Sequence, residues 1–314
     1  MKNVIIILGP TGVGKTGLSI LLAKALNTEI ISADSMLVYR HMNIGTAKPS
    51  KAELSSVPHH LIDILSPADS FSAGLFREQA IRIIDNLHTN KKIPVIVGGT
   101  GLYIRSLTRG LFEGAGADSK LRKQLKDEEE RRGQGYLYDQ LKSIDPDAAE
   151  QIEPGDLRRI IRALEVSLKE NKKISECQQV STTPANYDFI KIGLARNRKE
   201  LYRIIENRVD KMMEQGLLKE TETLLKLNPK RTALQALGYK EMALYLNGTV
   251  DLNEAVRLTK KRTKMYAKRQ FTWFRKEPDI NWVDISGIAN AEHALSRVMN
   301  DVEIMKKLIY SNVN

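Results

Sequence analysis

Apolar runs of strand length alternate along this chain with apolar positions at helical spacing, and that alternation predicts an α/β core. Val4-Ile5-Ile6-Ile7-Leu8 is a continuous apolar run, as expected of a parallel strand covered on both faces. Leu18, Leu21, Leu22 and Ala25 follow at i, i+3, i+4, i+7, the repeat of an amphipathic helix. Residues 29–33 read as a second strand, 59–65 as a short strand ending before Pro67, and 71–90 as a helix with Ile81, Ile84 and Leu87 inward. Further strands are predicted over 93–97, 188–194 and 280–283, and a closing amphipathic helix begins near Asn290. Between Gly114 and Asn186 the pattern is helical and highly charged, with no strand of this kind. It includes a polar helix over 118–132 and a helix opened by Asp156, whose buried face is Leu157, Ile160, Ile161, Leu164 and Leu168. The expected architecture is a parallel-sheet core with helices on both faces, formed by 1–112 and 188–314, carrying an all-helical insertion over 113–187.

Between the first strand and first helix stands Gly9-Pro10-Thr11-Gly12-Val13-Gly14-Lys15-Thr16, which fits the P-loop pattern G-x-x-x-x-G-K-[ST]. Backbone N–H groups and the helix N-terminus form an anion concavity, Lys15 adds a mobile cation, and the Thr16 hydroxyl is placed to ligate Mg²⁺. Such a loop binds a di- or triphosphate. Asp34-Ser35 falls at the carboxyl end of the second strand, the edge of an open parallel sheet where ligands bind. The strand over 93–97 runs into Gly98-Gly99-Thr100-Gly101 at the same edge, where Thr100 offers a hydroxyl. His59 and His60 point to opposite faces of a strand and are read as structural.

Arg208 shares a helix face with Leu201, Ile204, Ile205 and Met212. An inward arginine requires an anion, either a carboxylate or a phosphate. Gly216 is the expected stop for that helix. Farther on, a long helix over 252–275 carries Arg262, Tyr266, Arg269 and Trp273 along one stripe and Lys261, Lys264, Lys268 and Arg275 along another. Basic stripes track phosphates and aromatics stack on bases, or the same residues pack on a core with their charges in water. Arg158, Arg159 and Arg162 in the insertion pose the same choice.

Composition sharpens the partner class. The chain has 314 residues and 42% hydrophobic content, with 49 Lys+Arg against 38 Asp+Glu, a net charge of +11 and a pI near 9.5. That excess favours a polyanionic partner. No stretch approaches the roughly 20 apolar residues of a membrane span, and no leader pattern precedes the first strand. The single Cys177 has no internal disulfide partner, so a cytoplasmic protein without membrane contact is expected.

Together the motifs resemble the tRNA dimethylallyltransferase, or tRNA isopentenyltransferase, family. The resemblance rests on GPTGVGKT, SADSMLVYR, IGTAKP, GGTGLYIRSL, DLRRIIRALEV, LGYKE and MYAKRQFTWFR, in family order over nearly the whole chain. It implies transfer of a dimethylallyl group from dimethylallyl diphosphate to N6 of the adenine immediately 3′ of the anticodon, with Mg²⁺ as cofactor and the tRNA anticodon stem-loop as partner. Thr11, Gly12, Val13, Gly14, Lys15 and Thr16 would hold the diphosphate with Arg208, and Thr16 would hold the metal. Asp34 matches the general base and Thr100 a catalytic-site hydroxyl. Asp34, Ser35, Met36, Leu37, Gly101, Arg158, Arg159, Arg162, Arg262, Lys268 and Arg269 are the expected tRNA contacts, and a monomer is expected. Two positions depart from the family: Leu37 stands where Gln is usual and Lys264 where Arg is usual. Leucine lacks the hydrogen bonds of an amide, and lysine keeps the charge but loses the bidentate fork. The rival reading is a P-loop small-molecule or nucleotide kinase binding ATP. It lacks the acidic residue such an enzyme places at the end of the strand over 93–97.

Overall fold

The computed structural model describes residues 2–112, 116–180 and 182–311. The chain divides into two compact units, Met1–Ile104 with Asn186–Asn314, and Arg105–Ala185. Glu113, the expected start of the insertion, lies outside the described residues. Its expected end at Tyr187 falls just past the second unit.

The first unit is organised on a six-stranded parallel sheet in the order β3-β2-β4-β1-β5-β6. The strands are β1 (Asn3–Leu8), β2 (Ile30–Ser32), β3 (His59–His60), β4 (Val95–Gly98), β5 (Asp188–Ala195) and β6 (Ile280–Asp284). Val4 to Leu8 are all fully buried, as a strand covered on both faces requires. Leu8 pairs in register with Gly98 of β4 and Gly193 of β5, and Ser32 of β2 pairs with Val97. The strand ends therefore align along one carboxyl edge. This edge carries the loop after β1, Asp34 after β2 and the Gly98-Gly99-Thr100 turn after β4.

The helices before the second unit are α1 (Lys15–Ala25), α2 (Lys51–Ser56), α3 (Ala73–Thr89) and α4 (Gly101–Thr108), the last of which runs into it. Leu18 and Leu22 of α1 join the cluster of Ile5, Ile7 and Val95, whereas Ile20 and Ala23 pack with Ile30 and Val57. Because α1 is covered on two sides, its buried set is wider than one stripe, and Ala25 faces solvent instead. In α3, capped by Ser72, Phe76, Ala80, Ile84 and Leu87 are buried, and Ile81 is only half-buried. The strand expected over 59–65 stops at His60 because Leu61 and Asp63 take φ of 62° and 55°, in the left-handed region. His60 Nε2 meets Glu29 at 2.7 Å and His59 Nδ1 meets the Val57 carbonyl at 2.7 Å.

Within the second unit lie α5 (Ser119–Arg132), α6 (Tyr136–Ile144), α7 (Pro146–Gln151), α8 (Leu157–Glu170) and α9 (Ile174–Val180), with no strand among the described residues. Asp156 caps α8, accepting from the Arg159 N–H at 3.2 Å. Ile160, Ile161 and Leu164 pack with Leu125, Leu137 and Leu141. The inward position one turn later differs from the expected apolar face. Leu168 is 57% exposed and lies outside that cluster, while Glu165 is fully buried. A carboxylate tolerates that site because it is fully paired. Arg122 donates to it through Nε (2.8 Å) and Nη2 (2.7 Å), Arg162 through Nη1 (2.6 Å), and Asp118 through its N–H (2.7 Å).

After β5 the first unit resumes with α10 (Arg198–Glu214), α11 (Leu217–Lys226), α12 (Arg231–Leu234), α13 (Tyr239–Leu246) and the long α14 (Leu252–Phe274), then α15 (Ala291–Asp301) and α16 (Glu303–Ser311) after β6. Gly216, at φ 96°, follows the last residue of α10's cap and starts α11. No helix among the described residues is long and apolar enough to cross a membrane.

Burial pushes the Glu165 carboxyl up, but Arg122, the Asp118 N–H and Arg162 more than offset this and hold it at about 2, below its ordinary 4.5. A lowered folded pKa stabilises the protein fully above pH 4.5, and that contribution is lost as pH falls toward about 2. Glu165→Ala removes the shared acceptor of Arg122, Arg162 and the Asp118 N–H, and because both guanidinium groups are about a third exposed it should cost about 1–3 kcal/mol of stability at neutral pH. Urea unfolding at neutral and acid pH checks this: the gap between wild type and variant should narrow as pH falls.

Candidate active site at the carboxyl edge of the sheet

The loop after β1 closes through the Val13 N–H to the Pro10 carbonyl (3.3 Å), with the Val13 side chain fully buried. Gly14 is the N-cap of α1 at φ 112°, a conformation that costs a side-chain-bearing residue energy and leaves the helix N-terminus without a side-chain cap. Gly12 faces Leu201, Ile204 and Ile205 of α10, which seat the loop. Lys15 Nζ donates to the carbonyls of Gly9 and Pro10, both at 2.9 Å. Burial brings the Lys15 ammonium down to about 8, with Asp34 opposing the shift and Arg208 adding to it. Thr16 is exposed at the first turn of α1, and its hydroxyl bonds to no protein group among the described residues.

On α10, Leu201, Ile205, Val209 and Met212 are buried, and Arg208 stands beside them with Nη1 donating to Thr11 Oγ1 at 3.3 Å. Among the described residues no carboxylate lies within ion-pair distance of Arg208. Burial lowers its pKa and the charge of Asp34 acts against that. A cleft of about 600 Å³ opens beside it, walled by Ile44, Pro49, Leu54, Met212 and Lys48. The loop over 43–49 is held by Glu220 of α11, which accepts from the N–H groups of Asn43 (3.0 Å), Ile44 (2.9 Å) and Gly45 (3.2 Å) and from the Tyr239 hydroxyl (2.6 Å).

Asp34 is half-buried, and its Oδ1 accepts from the Met36 N–H at 2.9 Å, which folds 34–36 into a turn. Ser35 donates its N–H to Thr100 Oγ1 at 3.0 Å, and the Thr100 N–H reaches the Ala33 carbonyl at 3.2 Å. The ends of β2 and β4 thus bring Asp34 and Thr100 together. Met36 and Leu37 are half-buried in the same turn, and the Leu37 carbonyl accepts from Asp63. The Trp273 indole occupies the space beside Gly101 that a side chain there would need. Tyr266 is held at about 12 by burial first and by the charge of Asp34 second, so it remains a neutral donor near that carboxylate.

The basic residues fall into two kinds. Lys268 and Arg269 are exposed on α14 and form no ion pair among the described residues, and the Arg269 guanidinium lies 5.9 Å from the Tyr266 ring centroid. Arg262, by contrast, donates through Nη1 at 2.7 Å to the fully buried Glu241, a structural pairing that the stripe did not reveal. Lys264 pairs with Glu206 and sits 5.7 Å from the Tyr202 ring centroid. In the second unit Arg158 is exposed, Arg159 pairs with Asp156 at 3.2 Å, and Arg162 supports Glu165. Gln270 has no counterpart among the expected site residues. It is 8% exposed, accepts from the Thr11 N–H at 2.8 Å and donates to the Gly99 carbonyl at 2.9 Å. Its position between Ala267 and Phe274, at i+3 and i−4 on one helix face, was the available signal.

Residues 37–277 match the model of the IPP transferase family. The chain is 54% identical to the tRNA dimethylallyltransferase of Thermodesulfovibrio yellowstonii over 99% of its own length and 97% of the relative's. It is 45% identical to that of Alkaliphilus oremlandii over 96% and 97%. Its fold is similar to that of the full-length tRNA isopentenylpyrophosphate transferase of Bacillus halodurans, with a TM-score of 0.71 and 39% identity over 99% of this chain and 100% of that one. A eukaryotic dimethylallyltransferase described as acting on tRNA superposes with a TM-score of 0.78 at 30% identity, covering 98% and 78%.

A polyanion in the loop needs Lys15 charged. With its folded pKa at about 8, the ammonium is protonated below that pH and neutral above it. The dissociation constant of inorganic diphosphate should therefore rise as pH passes about 8, by up to about tenfold per pH unit. Lys15→Arg should remove that rise. Equilibrium binding across this range checks it.

Proposed function

The chain belongs to the IPP transferase family, and we propose that it transfers a dimethylallyl group from dimethylallyl diphosphate to N6 of the adenine immediately 3′ of the anticodon in tRNA. One observation carries the reading beyond the family match. A phosphate loop, an arginine without a carboxylate partner among the described residues and a carboxylate share the sheet edge, and β4 ends in Gly98-Gly99-Thr100 with no acid for a kinase's metal. The kinase alternative has no support at that position.

In the proposed reaction the bond between C1 of the allylic group and the diphosphate oxygen breaks, and a bond from adenine N6 to C1 forms. Charge develops on the departing diphosphate, where the loop N–H groups, Lys15 and Arg208 stabilise it. Asp34 accepts the proton that N6 loses, and Thr100, tied to Ser35, stands beside it. The apolar wall of Ile44, Pro49, Leu54 and Met212 suits the approach of a small anion with a hydrocarbon tail. An adenine stacked in an anticodon loop does not reach such a site, so the base leaves the stack to enter it.

The donor set fits Mg²⁺. Among the described residues no cluster of three or more His, Cys, Asp or Glu could cage a metal, and magnesium held chiefly by phosphate oxygens and water needs none. The Thr16 hydroxyl would supply one hard oxygen ligand, and the ion would add charge neutralisation at the diphosphate. Lys268 and Arg269 on α14, with Arg158 in the second unit, are exposed cations suited to tRNA phosphates.

Incubation with tRNA, dimethylallyl diphosphate and Mg²⁺, followed by mass spectrometry of the nucleosides, should yield dimethylallyl-adenosine. Transfer of phosphate from ATP without prenylation would contradict the reading. Asp34→Asn should lower the single-turnover rate by about 10² to 10⁴ with substrate binding little changed. A rate close to wild type would remove Asp34 from the proton transfer.

A further inference from the structure

The Gln270 side chain bridges the two halves of the site. The hydrogen bonds run from Arg208 Nη1 to Thr11 Oγ1 (3.3 Å), from the Thr11 N–H to Gln270 Oε1 (2.8 Å), and from Gln270 Nε2 to the Gly99 carbonyl (2.9 Å). On the far side of Gly99, Thr100 Oγ1 accepts from the N–H of Ser35, the neighbour of Asp34 (3.0 Å). One end of this series lies in the phosphate loop and the other at the carboxylate. We infer that Gln270 is a positioning residue for prenyl transfer, whose amide holds the diphosphate loop and the Gly99-Thr100 turn at the spacing the transition state requires.

The chemistry of the position is specific. Thr11 presents a donor and Gly99 an acceptor, so the bridging group needs one acceptor and one donor together, which an amide has and an aliphatic side chain does not. The bond to the Gly99 carbonyl is buried and Gln270 is 8% exposed, so an unmatched group at that end stays unpaired, while the Thr11 end is part-buried. Space is reserved for the amide as well: a Cβ on Gly99 would stand 2.3 Å from Gln270 Nε2. Gln270 projects from α14 immediately next to the exposed Arg269, so the same turn that presents cations outward sets the loop spacing inward.

Each substrate is held in its ground state by one side of the bridge, the diphosphate by the loop and the adenine by the Asp34–Thr100 side, whereas bond transfer needs both sides at once. Loss of the bridge therefore acts on the rate of the bound complex more than on either affinity. The inference rests on the proposed reaction and adds a residue to it.

The test uses the full chain and two variants. In Gln270→Met, of similar length, kcat with both substrates saturating should fall at least about tenfold, while each KM and the affinity for inorganic diphosphate stay within about threefold. In Gln270→Glu a carboxylate opposes the Gly99 carbonyl, but the protonated acid again has one donor and one acceptor. Its kcat relative to wild type should therefore rise as pH falls, by up to about tenfold per unit, where a purely structural role would change the melting temperature and leave that ratio flat. If Gln270→Met does not fold, the pH dependence of the Gln270→Glu ratio decides. The inference is overturned by a Gln270→Met kcat within about threefold of wild type, by a loss confined to diphosphate affinity, or by a flat Gln270→Glu ratio. Absence of prenyl transfer by the wild-type chain would overturn the reaction itself, an outcome distinct from transfer that is indifferent to Gln270.

Discussion

Keeping Lys15 and Arg208 charged, largely out of water and, among the described residues, without ion-pair partners is the constraint around which the sheet edge is built. Burial works against both charges, and the charge of Asp34 acts in their favour without forming a salt bridge among the described residues. A pair of desolvated cations costs stability in the free protein and becomes favourable when a polyanion meets them. The surrounding elements hold this arrangement. Leu201, Ile204 and Ile205 seat the loop against α10, Gln270 ties it to the neighbouring strand end, and the Gly9 and Pro10 carbonyls take the Lys15 ammonium. Elsewhere the chain completes its buried charges internally, Glu165 with two arginines and Glu241 with Arg262.

That contrast separates arginines paired with buried carboxylates from Arg208. Arg162 and Arg262 share helix stripes with exposed cations, yet each is bound to a carboxylate that is fully buried. Arg208 shares its face with apolar residues, and its hydrogen bond among the described residues goes to a threonine hydroxyl. The preference of a guanidinium for a planar, forked anion then points from the fold to a phosphate ligand, and a phosphate loop whose neighbouring strand lacks an acid points to phosphate as leaving group.

Much of this was legible in the residues. The strand-loop-helix context of Gly9–Thr16, the placing of Asp34 and Thr100 at strand ends, and the span of α14 all follow from periodicity and local chemistry, since each depends on neighbours in sequence. The features that were not legible depend on partners distant in sequence. Nothing near Glu165 indicates that Arg122 will reach it, so periodicity assigned the inward turn to Leu168. Left-handed residues at Leu61 and Asp63 end β3 where the apolar pattern continues. Gln270 looks like one polar residue in a polar helix until the loop after β1 and the turn after β4 are both set against it.

The central claim is that the loop holds a departing diphosphate, so that the bond broken is carbon–oxygen and not phosphorus–oxygen. The most direct measurement places a heavy-oxygen label at the bridging position between C1 and the diphosphate and follows it by mass spectrometry through one turnover on tRNA. Carbon–oxygen cleavage sends all of the label out with diphosphate while the tRNA gains the hydrocarbon alone. Label retained on the prenyl carbon, or phosphate appearing on the acceptor, would contradict it.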